Sequence, residues 1–483
     1  MTIKINCRSE LFRWGPIDGK VIYPDFFSVA FTEFPKYFNS WPDLAGLFFD
    51  EKMVYLCEYP KLRASGEELF KKIILKNSQR MKWYRLWHAN LKQLLDLQND
   101  ISNLRLSRLS GDELQKKYNL WSKLYLKFWS IGELPEVANW GGEKYLTDLL
   151  KKKLKGNDFI YAFEKLSAPE NMSFYQKAEL DLLKLKRYER TDVFDKKIKR
   201  HQERYFWILN SYHHTKVLSQ KYFVSELKNK RLQQCQKKIK NILALSCKVK
   251  REKEKIFKKY KLGQQIAKAA RCLSFCIWWQ DLRKYYIFLA NHYIDIFLKE
   301  FERRLKVKFE DLQYYNVYEM SRLADSGKII GKTEMARRKK HFVVYYNMKK
   351  NNLSYLSGKR AGSIIKKYLN VDLKEKKGEL SGVVVSIGKK VTGRARIVTS
   401  AKNIRLVKKG EILVATMTSP DYVIGMRKAA AVVTDEGGMT SHAAIVSREL
   451  GIPCIVGTKN ATKVFKNGNY LEIDTEKGII KKL

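Results

Sequence analysis

The sequence predicts an α+β multidomain chain, with a large, mostly α-helical N-terminal region followed by a compact mixed α/β domain. Two observations carry that prediction. From about Ser65 to Leu369 apolar residues recur at helical spacing, and Ser65–Glu68, Ser110–Glu113 and Ser173–Gln176 each have the form of a capping box ahead of such a run. After a polar, Lys- and Glu-containing connector the texture changes to short Val/Ile runs separated by Gly-containing turns. The expected divisions are residues 1–60, a helical domain 61–370, a hinge linker 371–379 and a terminal domain 380–483.

Residues 1–60 are aromatic and carry Pro16, Pro24, Pro35 and Pro42, so they are expected to form an irregular cap on the helical body. The alternative is that the aromatics line a substrate pocket. Beyond the capping boxes, helix is expected over Asp192–Val217. The basic stretch at about 221–261 is expected as one or two long helices, an arm with Leu, Ile and Phe at seam spacing and Lys facing water. Gln264–Leu305 reads as two further amphipathic helices, with Asp281, Arg283 and Lys284 cutting off the apolar run that ends at Trp279. In the terminal domain strands are expected at Gly382–Ser386, Ala395–Thr399, Ile412–Thr416, Ala431–Thr434, Cys454–Val456, Tyr470–Ile473 and Gly478–Lys481. Helices are expected at Pro420–Ala429 and Ser441–Leu450.

The 483 residues carry 95 Lys and Arg against 50 Asp and Glu, a formal charge of +45. A polyanion such as nucleic acid or an anionic membrane surface is one partner this allows. The bland alternative is a Lys-rich composition spread over solvated helices. Seven scattered cysteines without a CxxC, and no signal peptide, point to a reducing cytoplasm. No window is long and apolar enough to span a membrane. No cluster has metal-ligand spacing, so no metal is expected in this chain.

The chemistry concentrates in TDEGGMTSHAAIVSRELGIPCIVGT, Thr434 to Thr458. It reads as a strand, a Gly-Gly loop and a helix starting at Thr440 or Ser441 and stopped by Gly451 and Pro453. His442 then falls in the first turn, where free N–H groups and the helix dipole favour anions and keep an imidazole neutral. Gly437 and Gly438 let the backbone approach an anion closely. A histidine that accepts a phosphoryl group needs this setting: an unprotonated nitrogen to attack, and the N–H groups at Ser441–Ala444, Ala443 among them, with hydroxyls of Thr440 and Ser441 to hold the product. Asp435 and Glu436 would repel phosphate and are expected to fix the turn.

This stretch resembles the phosphohistidine signature of the PEP-utilising enzymes, among them PEP synthase, pyruvate phosphate dikinase, rifampicin phosphotransferase and enzyme I of the sugar phosphotransferase system. The upstream SGVVVSIGKKVTGRARIV and GEILVATMTSPDYV and the closing NGNYLEIDTEKGIIKKL extend the resemblance over about the last hundred residues. It implies a swivelling domain that carries the group on the histidine matching His442. It also implies that Thr416 and Thr418, in a loop beside the histidine loop, donate from behind. Arg448, nearly two turns along the helix, would face a partner's phosphate or anchor the loop. More weakly, DLQYYNVYEMSRLADSG and MARRKKHFVVYYN resemble the stretch that precedes that domain in the family.

The family's ATP-grasp domain and PEP- or pyruvate-binding barrel have no counterpart in the sequence. The expectation is therefore one half of a split transferase, working with a separate ATP-grasp or PEP/pyruvate-binding polypeptide. ATP or PEP, with Mg²⁺, would be bound by that partner and no cofactor by this chain. The helical domain would bind a small-molecule acceptor, the partner, or both. A non-catalytic phosphocarrier or regulatory protein is the alternative, and a basic nucleic-acid-binding protein with an inert swivelling domain is the third.

Overall fold

The computed structural model describes residues 3–7, 9–38, 41–323, 328–369, 378–439 and 441–483. The first sixty residues are not irregular. They hold β1 (Leu11–Asp18), a helix (Ile22–Glu33), β2 (Leu44–Phe49) and β3 (Lys52–Glu58). Their prolines occupy tolerated places: Pro16 lies where the register of β1 shifts between Trp14 and Ile17, on an edge strand, and Pro24 lies in the first turn of the helix. Asp50 and Glu51 join β2 to β3, both at positive φ (47° and 61°), the conformation of a tight two-residue hairpin.

β4 (His341–Asn347) and β5 (Asn352–Ser357) complete an antiparallel sheet of order β1-β3-β2-β4-β5. Side chains alternate across it. Ala45, Leu47, Val54, Leu56 and Val343 pack on Ala361 and Ile365 of the Gly358–Leu369 helix, while Phe48, Met53, Tyr55 and Phe342 face the main core.

The body behind this sheet is helical. The boxes at Ser110 and Ser173 form as expected. Ser65 instead lies inside the Tyr59–Leu69 helix, which begins at Pro60 in its first turn. That helix crosses Leu134–Lys151 backbone to backbone: a Cβ on Gly141 would lie 1.9 Å from the carbonyl carbon of Gly66. Gln264–Leu305 is one helix of 42 residues, not two. The Asp192–Val217 segment is helical only over Phe194–Tyr205. The basic stretch forms Gln220–Lys228 and Leu232–Lys259, and the second packs Cys235 and Ile242 on Leu180 and Leu183, so it lies along the body instead of projecting as an arm.

The terminal domain contains the seven expected strands within a few residues and one more. They are β6 (Glu379–Ser381), β7 (Val383–Ser386), β8 (Val391–Ile397), β9 (Ile412–Ala415), β10 (Ala431–Thr434), β11 (Cys454–Val456), β12 (Tyr470–Asp474) and β13 (Ile479–Lys482). β6 takes in Glu379 of the expected hinge, and residues 371–377 of the hinge lie outside the described residues. The sheet order is β6-β13-β12-β8-β9-β10-β11-β7, with β8, β9, β10 and β11 parallel. Pro420–Ala429 is a short 3-10 turn followed by a single helical turn at Val423–Met426.

Candidate active site around His442

In a parallel sheet, loops leaving the carboxyl ends of neighbouring strands emerge side by side, and ligands collect there. β9 and β10 are such neighbours, which brings the loop starting at Thr416 against the loop starting at Asp435. The strand hydrogen bonds continue into both loops: Asp435 N–H donates to Ala415 O at 3.0 Å and Glu436 N–H to Thr416 O at 2.8 Å. On the other side Thr458 N–H donates to Thr434 O at 3.1 Å. The Asp435 carboxylate accepts from Thr462 N at 3.0 Å and from the Thr462 hydroxyl, tying the turn to the next segment.

His442 opens the His442–Leu450 helix, with Ser441 as N-cap and Gly451 closing it at φ 68°. Ser441 Oγ accepts the Ala444 N–H at 3.3 Å. The N–H groups of His442 and Ala443 come earlier still and have no carbonyl one turn back within the helix. Gly437 has φ 115°, a conformation that disfavours any side chain, and a Cβ there would crowd Ser441 Oγ at 3.0 Å. His442 Nδ1 and Thr418 Oγ1 share a hydrogen bond of 2.8 Å. Enclosure of the ring, reinforced by the charge of Lys284, pushes its pKa down to about 3, so the imidazole is neutral at physiological pH. The ring still keeps accessible surface, because it faces a cavity.

The other sequence-expected residues fall in different places. Thr418, Gly437, Ser441 and Ala443 line the cavity with His442. Thr416 is buried behind the loop, where its backbone carbonyl serves the ladder. Gly438 turns the other way: a Cβ on it would lie 3.1 Å from Glu143 Oε1, and Met439 N–H donates to the same oxygen at 3.3 Å. Arg448 Nε donates to Val385 O at 2.6 Å, so the side chain anchors the helix to β7. Thr440 lies outside the described residues.

The cavity, of about 1510 Å³, lies between the terminal domain and the body. Its far wall includes Trp14, Tyr55, Trp129 and Tyr212, with Asp281 and Lys284 from the 42-residue helix. The aromatic N-terminal segment thus does line a pocket. Lys284, Asp281, Asp421 and Glu449 were not singled out from the sequence. Lys284 and Asp281 interrupt an apolar run, which signals a helix break or a functional face equally well. Burial pushes Asp281 up to about 6 and Asp421 up to about 7, values suited to exchanging protons near neutral pH.

Polar contacts close the two units over the cavity. Lys402 Nζ lies 3.0 Å from Glu51 Oε2, Ser400 Oγ donates to Asp18 Oδ2 at 2.6 Å and Lys52 Nζ to Thr399 O at 3.1 Å. Glu51 is carried on the β2–β3 hairpin. Among the described residues no group of three or more His, Cys, Asp or Glu is placed to hold a metal ion, and no helix is long and apolar enough to cross a membrane.

Residues 407–478 match the family model described as "PEP-utilising enzyme, mobile domain". A probable phosphoenolpyruvate synthase of Archaeoglobus fulgidus is 60% identical over 89 residues, 18% of this chain and 12% of that protein. The phosphoenolpyruvate synthase of Pyrococcus furiosus is 60% identical over 90 residues, 19% of this chain and 11% of that one. That of Aquifex aeolicus is 46% identical over 105 residues, 22% and 12% of the two chains. The matched stretch therefore spans about an eighth of these relatives' length or slightly less. The solution structure of a UPF0107 protein overlays 22% of this chain and 98% of its own at 13% identity, with a TM-score of 0.18 that bears no weight. The terminal domain contains the stretch similar to the mobile domain of PEP-utilising enzymes, joined here to a large helical region.

Proposed function

We propose that this chain is a phosphotransferase component that carries a phosphoryl group on His442, from a nucleotide- or PEP-binding partner to a molecule held in the cavity. The observation that carries the reading is the setting of His442. It is a neutral imidazole with one nitrogen tied to Thr418, at a helix N-terminus that faces a cavity roofed by the carrier domain and floored by the helical body. With Nδ1–H donating to Thr418 Oγ1, the lone pair sits on Nε2, which becomes the nucleophile. The phosphoryl oxygens then meet the N–H groups of His442 and Ala443 and the positive charge of Lys284.

Delivery reverses the first step. An acceptor oxygen attacks phosphorus, the N–P bond at Nε2 breaks, and the electron pair returns to the imidazole. The acceptor's proton passes to a cavity carboxylate, for which Asp281 and Asp421 are placed on opposite walls. The group arrives from a separate ATP-grasp or PEP-binding polypeptide, which would hold ATP or PEP and its Mg²⁺. To reach it the carrier domain would leave the body, giving up exposed polar contacts worth about 0–1 kcal/mol each and the apolar packing that joins Met439, Ala443 and Val446 to the core of the body.

The test is formation of alkali-stable, acid-labile phosphohistidine. The protein is incubated with ATP or PEP and a candidate donor polypeptide, and its intact mass is compared with that of His442→Ala. A gain of one phosphoryl group in the parent protein but not in the variant supports the carrier role.

A further inference from the structure

The two glycines before His442 have different reasons to be glycine. Gly437 takes a positive φ, but Gly438 does not, so the backbone at 438 would tolerate a side chain. What excludes one is the body. A Cβ on Gly438 would lie 3.1 Å from Glu143 Oε1 and 3.5 Å from Trp140 Cζ3, both on the Leu134–Lys151 helix. The next residue completes the contact. The Met439 N–H donates to the same Glu143 oxygen at 3.3 Å, and the Met439 side chain is buried in the core shared with the body.

The receiving side is rigid. Glu143 and Trp140 are both buried, and the Trp140 ring is held edge-on by Phe12 and Tyr59, with centroids 4.7 and 5.9 Å away. The helix carrying them is fixed at two points: where it crosses Tyr59–Leu69 at Gly141 and Gly66, and where Arg283 binds Glu133 and Glu136 at its start. Charges across the boundary are complementary. Arg13 of β1 favours the Glu436 carboxylate, and Glu164 and Glu143 favour the Arg448 guanidinium, against the partial burial that disfavours each charge. Trp140 also lines the His442 cavity, so one helix both receives the loop and forms part of the cavity wall.

We propose that Glu143, with the Trp140 ring, is a positioning residue of the body: it seats the backbone of Gly438–Met439 and so sets where His442 stands over the cavity when the carrier domain is docked. The proposal rests on the carrier reading of His442. A backbone N–H is the same whatever residue bears it, so the seat reads the path of the loop, and a glycine at 438 is what lets the loop come close enough. On undocking, both groups of the hydrogen bond regain water, so the seat positions the domain without trapping it.

The test is alkylation by iodoacetamide of the full-length protein carrying Met439→Cys, followed peptide by peptide. Met439 is 5% exposed, so a thiol there reacts when the loop leaves its seat, at a rate that follows the unseated population. Glu143→Ala is expected to raise that rate roughly tenfold, whereas Glu143→Gln, which keeps an acceptor oxygen at the same reach, should stay within about twofold of the parent. Gly438→Leu should raise the rate by itself and add far less in the Glu143→Ala background, because both changes break one contact. Cys276, fully buried in the body, is the internal control: its rate should not change, while a general loosening of the body would raise it. No donor or phosphate is needed, so the two readings separate. Absence of phosphorylation at His442, with the coupling of Gly438 to Glu143 intact, would count against the carrier reading alone. Phosphorylation without that coupling would count against the seat alone. An unchanged rate in Glu143→Ala, a rise shared by Cys276, a rate in Glu143→Gln as high as in Glu143→Ala, or additive effects of Gly438→Leu and Glu143→Ala would overturn the proposal.

Discussion

The two walls of the cavity are built in different ways. The histidine wall comes from one short piece of chain. Thr418 and His442 are 24 residues apart, on loops that continue the ladder of two adjacent parallel strands. The opposite wall draws on Trp14, Tyr55, Trp129, Tyr212 and Lys284, brought together by a core that spans the whole helical region. A reactive group held by local backbone hydrogen bonds can move as a unit without losing its geometry. A binding surface assembled from distant segments cannot, so it stays in place and selects what is bound. Substitutions on the two walls should therefore separate chemistry from recognition.

The largest expected effect lies on the body. Arg283→Met leaves Glu133 and Glu136 without their cation, and should cost about 3–5 kcal/mol of stability. Chemical denaturation would register that as a lower midpoint, and an unchanged midpoint would mean that the cluster contributes no structure. Gly141→Ala pushes a methyl group into the Gly66 backbone, so the two helices must separate, at a cost of about 1–3 kcal/mol or somewhat more. Neither change touches the ladder that holds His442.

Acidification should act on the other wall. The folded pKa of His442 lies near 3 and its ordinary value is 6.5, so between those values the unfolded chain binds the extra proton. This histidine therefore costs no stability above about pH 6.5 and progressively more as pH falls towards 3. Denaturation midpoints at pH 7.5 and 5.0 should fall further in the parent protein than in His442→Gln. Equal falls would show an ordinary, solvated imidazole.

Thr418→Val removes the hydrogen bond to Nδ1, worth about 1 kcal/mol, and should slow phosphoryl uptake while leaving cavity binding unchanged. The smallest effect is expected from Lys402→Ala at the closure between the units, where half-exposed Glu51 loses a partner worth less than about 1 kcal/mol. A fluorescence distance between dyes on the two units would report a shift towards the open arrangement. No shift would place the closure in the other contacts.

The histidine wall was also the legible one. Gly437, a hydroxyl cap, an apolar helix and Gly451 are local signals, and each takes the conformation that its chemistry favours, whereas Gly438 does not take a positive φ. Thr418 was reachable because the loop carrying it belongs to the same recognisable domain. Arg448 was recognisable as a charge on the right helix, but only the fold shows that it anchors to Val385. The first sixty residues resisted because β2 completes its pairing only with β4 some three hundred residues away, Ala45 opposite Tyr345, and because prolines are tolerated on an edge strand. Asp281 and Lys284 resisted for a related reason. Charges within an apolar run are a break or a functional face, and the difference lies in what the helix packs against.

The central claim is that His442 is a phosphoryl carrier, and intact mass spectrometry under alkaline conditions tests it most directly. The protein should gain one phosphoryl group from ATP or PEP in the presence of its donor polypeptide, and His442→Ala should gain none. Equal labelling of the variant, or no labelling of the parent protein with either donor while the cavity still binds its ligand, would contradict the claim and leave a binding protein built on a carrier fold.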